Sequence, residues 1–100
     1  MSTKKTFGNT IRDLRISRKE PLRVVAAALE IDSTLLSKIE RAERFPTESQ
    51  LERFSKYFGL SLNDLTALVI ADKIIGKYGE HSLTLQAIKI VKERIEQPCE

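Results

Sequence analysis

Glu30 to Pro46 reads EIDSTLLSKIERAERFP, and the way this stretch folds decides how the rest of the chain is read. The Asp32 carboxylate can accept the free backbone N–H groups that open a helix, so a helix is predicted to follow it. Leu35, Leu36 and Ile39 give that helix one apolar side, directed inward. Ser33, Thr34, Ser37, Lys38 and Arg41 fall elsewhere on the turn, within reach of solvent or a ligand. Small hydroxylated residues at the start, a lysine in the second turn and arginines after it suit contact with an anionic surface. We read the stretch as the recognition helix of a helix-turn-helix, in preference to an ordinary amphipathic surface helix.

Working outward, Glu30-Ile31-Asp32 is a tight connection with Ile31 as its expected buried plug. Before it, Leu22, Val25, Ala26 and Leu29 recur at i, i+3, i+4, i+7, which predicts a helix from about Pro21 to Leu29. Proline suits its first turn, and Ala26 to Ala28 would let another helix approach closely. Earlier still, Phe7, Ile11 and Leu14 mark a first amphipathic helix, preceded by a polar arm from Met1 to Thr6. After Glu40 the segment Arg41 to Pro46 is expected to be a charged loop. Thr47 followed by Gln50 is a capping-box pattern, opening a fourth helix with the stripe Leu51, Phe54, Tyr57 and Phe58 and a stop at Gly59. Ser61 to Asp64 opens a fifth, with Leu62, Leu65, Leu68 and Val69 directed at the same core. No segment has convincing strand alternation, so the expected fold class is all-α: a bundle of about five helices plus a helical extension. Residues 1–66 form the expected helix-turn-helix domain and 67–100 the extension.

The extension changes pattern. Apolar residues from Ala67 to Ile75 surround the helix, Gly76 to Ser82 are expected to break it, and Leu83 to Ile95 carry two apolar stripes. A helix apolar on all sides must be covered on more than one. The simplest cover is a second copy, so Ile70, Ile74, Leu83, Ile88, Val91 and Ile95 are the expected interface of a two-fold homodimer. The competing expectation is that the last helix folds back on its own monomer.

Charge is distributed unevenly. Of 17 Lys and Arg, ten lie in residues 1–44 against six acids, whereas residues 45–100 hold seven bases and eight acids. The basic surplus belongs to the amino-terminal half, as expected if that half meets phosphates. A single cysteine, Cys99, excludes an intrachain disulfide and a cysteine-rich metal site. The longest uninterrupted apolar run, Val24 to Leu29, falls far short of the roughly 20 residues of a membrane span, and no signal peptide is evident. A soluble cytoplasmic protein is expected.

The run LSKIERAERFP, with PLRVVAAALEID before it and FGLSLNDL after it, resembles the phage-repressor-like, XRE-type helix-turn-helix regulators over about residues 7–66. The resemblance implies a DNA-binding repressor or activator acting as a dimer on a pseudo-palindromic operator. It implies base reading by Ser33, Thr34, Ser37 and Lys38, and backbone contacts near Arg23, Arg41 and Arg44. The chain departs from the family pattern at Glu20 and Pro21, where an apolar residue and a hydroxylated cap are frequent. It departs again at Glu30 and Ala42, where glycine is common. Independently of the family, a major groove about 12 Å wide accepts one α-helix and offers acceptors that a lysine can reach. Flanking arginines fix register on the backbone without reading sequence.

Catalytic readings find little support. His81 is the single histidine, in a polar GEHS turn, and there is no metal-ligand cluster, glycine-rich phosphate loop or Ser/His/Asp set. No cofactor and no small-molecule ligand are expected. Glu40 is expected to hold a basic side chain rather than read bases. The alternative is a protein-interaction module or antitoxin-type adaptor on the same scaffold. Within the DNA-binding reading, an autoregulating repressor or restriction–modification controller is favoured, since no added ligand domain is evident.

Overall fold

The structure, a computed structural model, describes residues 5–97. Six helices follow in order: α1 Phe7–Ser17, α2 Leu22–Ala28, α3 Ser33–Glu40, α4 Glu48–Phe58, α5 Leu62–Tyr78 and α6 Ser82–Glu96. The described residues contain no strand, and no helix among them is long and apolar enough to cross a membrane.

Local chemistry sets most helix starts. The Asp32 carboxylate accepts from the Thr34 N–H at 2.7 Å, as its sequence position predicts. Thr47 and Gln50 close the capping box in both directions, at 3.2 and 2.9 Å. Pro21 stands at the N-cap of α2 without a side-chain bond, its extended backbone leading into the first turn. Thr6 corrects the expectation of a loose arm, since its hydroxyl accepts from the Asn9 N–H at 3.0 Å and caps α1. Of the other arm residues, Lys5 is described and pairs with Asp13, whereas 1–4 lie outside the described residues, as does Cys99.

Helix ends follow one pattern four times. The residue after the last turn takes a left-handed conformation at Lys19, Glu30, Ala42 and Gly59, with φ of 57°, 58°, 62° and 68°. The next N–H then reaches back five residues: Glu20 to Arg15, Ile31 to Ala26, Glu43 to Lys38 and Leu60 to Ser55. These bonds satisfy carbonyls that a helix end leaves open. Only one of the four positions is a glycine, so the chain keeps the turn geometry at Glu30 and Ala42 with side chains that strain it.

The chain divides within α5 into one compact unit ending at Ile70 and another beginning at Ala71. The first holds the core. Phe54, Ile11, Val25 and Leu36 are wholly enclosed, and Leu29 and Ile39 nearly so. The Phe7 ring meets Phe54 edge-on at 5.2 Å, and Phe58 stacks on Phe54 at 6.4 Å. Ile31, the expected plug, is half-buried against this cluster, as is Leu35. Leu65 and Val69 enter the core from α5, but Leu62, expected beside them, is 38% exposed. It is the first residue of α5, and the helix meets the core only from its second turn.

The second unit is a helical hairpin made by the end of α5 and α6. The break expected over Gly76 to Ser82 is present but narrower: α5 runs through Gly76 to Tyr78 and stops at Gly79, where φ is 81°, and α6 begins at Ser82. An interior glycine weakens a helix by about 1 kcal/mol without ending it, whereas a left-handed residue ends it outright. His81 occupies the N-cap position of α6 and makes no capping bond. No residue of α6 is buried.

Candidate nucleic-acid interface

α2, the turn through Glu30 and Ile31, and α3 form the helix-turn-helix. At about 100° per residue, Ser33, Ser37, Arg41, Thr34 and Lys38 share an arc of about 140°. Leu35, Ile39, Leu36 and Glu40 occupy the opposite arc. The burial pattern agrees with that division. Leu36, Ile39 and Glu40 are buried, Thr34 and Arg41 are exposed, and Ser33, Ser37 and Lys38 are half-exposed.

The inner end of α3 is held by a charged pair. Glu40, 4% exposed, accepts from Arg15 Nε at 2.8 Å and from Arg15 Nη2 at 3.0 Å. Arg15 Nη1 also donates to the Glu20 carbonyl at 3.1 Å, so one guanidinium ties α1 to α3 and to the turn before α2. The hydrogen bond to Glu40 raises the Arg15 pKa above its already high usual value, against a smaller opposing effect of burial. Glu40 therefore has the structural role expected of it, with Arg15 as the basic partner. The Arg15 assignment could not be read locally, because the pair spans 25 residues of chain.

Gly8 was also missed. A Cβ built there would lie 2.1 Å from the Ile39 carbonyl oxygen and 2.7 Å from that of Glu40. α1 thus touches the end of α3 backbone to backbone, which no other residue allows. A glycine in the first turn of an amphipathic helix is the signal that could have flagged it.

The basic side chains divide by partner. Arg18 donates to the Phe58 carbonyl at 3.0 Å and lies over its ring, and Arg53 donates to the Leu29 carbonyl at 3.2 Å. Both serve the fold. Arg41 is ion-paired with Glu43, with both side chains exposed. The side chains of Arg23, Lys38 and Arg44 have no hydrogen bond or ion pair among the described residues, and Arg23 and Arg44 are exposed. Every candidate reading or backbone residue lies in the first unit. No cluster of His, Cys, Asp or Glu that could hold a metal occurs among the described residues.

In the second unit the apolar surface is extensive. Leu83 and Ile95 are 75% and 77% exposed, and Val91 and Ile88 remain open to solvent. Ile74, half-buried, lines an apolar depression of about 360 Å³ with Ala71, Ile75, Leu85 and Ile88. Ile70, the last residue of the first unit, is also exposed.

Residues 6–68 match the family model described as a helix-turn-helix domain. Among solved structures, the chain is similar to the crystal structure of the clp gene regulator ClgR from Corynebacterium glutamicum. The similarity covers 89% of this chain and 84% of that one, with 22% identity and a TM-score of 0.54. A comparison with curated proteins finds no match.

Proposed function

The chain belongs to the helix-turn-helix domain family, and from that premise we propose that it is a sequence-specific DNA-binding transcriptional regulator acting as a homodimer on a pseudo-palindromic operator. The observation that carries this reading is the outer arc of α3. It presents two hydroxyls at the helix start, a third at Ser37 and an ammonium at Lys38, none of them used by the fold's ion pairs. In the major groove, short Ser33 and Thr34 allow close approach, and Lys38 reaches guanine acceptors. Arg23, Arg41 and Arg44 then hold phosphates on either side and fix register. The structurally similar ClgR is itself a clp gene regulator, which accords with this role.

We assign DNA binding to residues 1–66 and dimerisation to 67–100. The exposed side chains Leu83, Ile88, Val91 and Ile95, with half-buried Ile74, are apolar surface that the hairpin leaves uncovered, and Ile70, exposed at the end of the first unit, is assigned to the same proposed interface. A second copy covers the same patch with itself, as a two-fold interface requires. Two recognition helices then meet half-sites about 34 Å apart, one turn of DNA.

Selection of bound duplexes from a random pool by the intact chain tests the reading. The expected product is an inverted repeat whose half-sites are centred about one helical turn apart, with affinity falling steeply as salt rises. No enrichment, together with salt-insensitive or absent retention on duplex DNA, would overturn it. Autoregulating repression, or control of a restriction–modification operon, is the finer form of this proposal. It requires the selected site to occur upstream of the protein's own gene.

A further inference from the structure

We propose that Arg12, with Asn9 beside it on α1, is a further contact to the DNA backbone, a site that extends the nucleic-acid interface onto the first helix; the proposal rests on the DNA-binding reading above. A depression of about 380 Å³ lies among α1, the start of α2 at Leu22 and the end of α3, with Asn9, Arg12, Arg15, Ser37, Glu40 and Arg41 as its polar lining. It opens beside Ser37 and Arg41, two residues of the outer arc of α3. Its charges are not equivalent. Arg15 is engaged twice by buried Glu40, and Arg41 is paired with Glu43. The Arg12 side chain is exposed and makes no hydrogen bond or ion pair among the described residues. Neighbouring Arg15 and Arg18, on the same stretch of chain, both have fold partners. Arg12 is therefore the unneutralised cation of the depression.

The chemistry selects a phosphodiester. A guanidinium offers paired N–H donors that match two phosphate oxygens, and the Asn9 carboxamide adds neutral N–H donors. Asn9 precedes Arg12 by three residues, so both fall on one face of α1. The close approach of Gly8 to the Ile39 and Glu40 carbonyls fixes that face against the end of α3. A recognition helix seated in the groove brings the flanking backbone past this end, and an α1 held there meets it.

Salt titration of the full chain on its selected duplex tests the assignment. For Arg12→Ala the slope of log affinity against log salt should be shallower by about one unit per bound protomer. Affinity should fall roughly two- to fivefold, equally on selected and random duplexes, because a phosphate contact reads no sequence. The selected consensus and the thermal melt should not change, and Arg12→Lys should keep the slope. Lys56→Ala removes the same charge from the exposed surface of α4 and should leave the slope as in the parent chain. An unchanged slope for Arg12→Ala overturns the proposal. So does an equal flattening by Lys56→Ala, which would point to net charge alone, or an altered consensus, which would make Arg12 a base contact. A parent chain that binds no duplex removes the DNA-binding reading itself and this assignment with it. Normal parent binding with an unaffected Arg12→Ala removes only the assignment.

Discussion

At the scale of single residues, α3 separates a buried side that packs the core from an outer side that we propose reads DNA. The Lys38 side chain has no partner among the described residues, so its loss should leave stability alone. Lys38→Ala is expected to weaken specific binding by about 1–3 kcal/mol and to relax preference at one or two base pairs per half-site. Arg44→Ala should weaken all sequences alike and flatten the salt slope by about one unit. Competition binding on single-position operator variants separates the two; an unchanged consensus for Lys38→Ala would mean that the reading face lies elsewhere. Gly8 has the opposite character, invisible to DNA but critical to the fold. Its added Cβ would strike carbonyl oxygens rather than a movable side chain. Gly8→Ala should therefore destabilise by about 1–3 kcal/mol, although alanine by itself favours a helix. A denaturant midpoint equal to that of the parent chain would show that α1 and α3 do not touch there.

At the scale of elements, the helices are begun by good caps and ended under strain. Lys19, Glu30 and Ala42 hold a left-handed conformation that costs a non-glycine residue roughly 1–2 kcal/mol. Each is retained because two backbone bonds close over it, the nearer running from Lys19 to Ile16, Glu30 to Ala27 and Ala42 to Ile39. Glu30→Gly is expected to raise stability by about 1 kcal/mol, the relief of strain exceeding the added freedom of the unfolded chain. Gly59→Ala, at the matching end of α4, should lower it by a similar amount. Thermal melts of the two variants check both signs. Stabilisation by Gly59→Ala would mean that the end of α4 is not left-handed.

At the scale of the whole molecule, the second unit is a hairpin with no buried residue on α6. The proposal that this surface makes a dimer requires that disrupting it cost DNA affinity without altering α3. Val91→Glu places a charge on the open apolar surface, where it harms an isolated hairpin little but blocks a self-complementary contact. The expected result is a monomer in sedimentation, or an unfolded chain if the interface is obligate. Operator affinity should collapse in either case, since each half-site would then be held separately. A parent chain that sediments as a monomer and still binds its operator tightly would end the dimer proposal.

Interactions that close within about four residues were legible in the chain alone. Asp32, the Thr47–Gln50 box and Gly59 mark helix ends through bonds to their immediate neighbours. The two arcs of α3 follow from helical periodicity, so the exposure of Thr34 and the burial of Leu36 and Ile39 needed no tertiary information. Pairings between distant segments were not legible. Arg15 meets Glu40 across 25 residues, and Gly8 meets the end of α3, because the packing of α1 brings them together. Similarly, Gly76 resembles a helix breaker in composition, but the terminator is Gly79, the glycine with positive φ. Composition records which residues tolerate a conformation; the packed chain determines which of them adopts it.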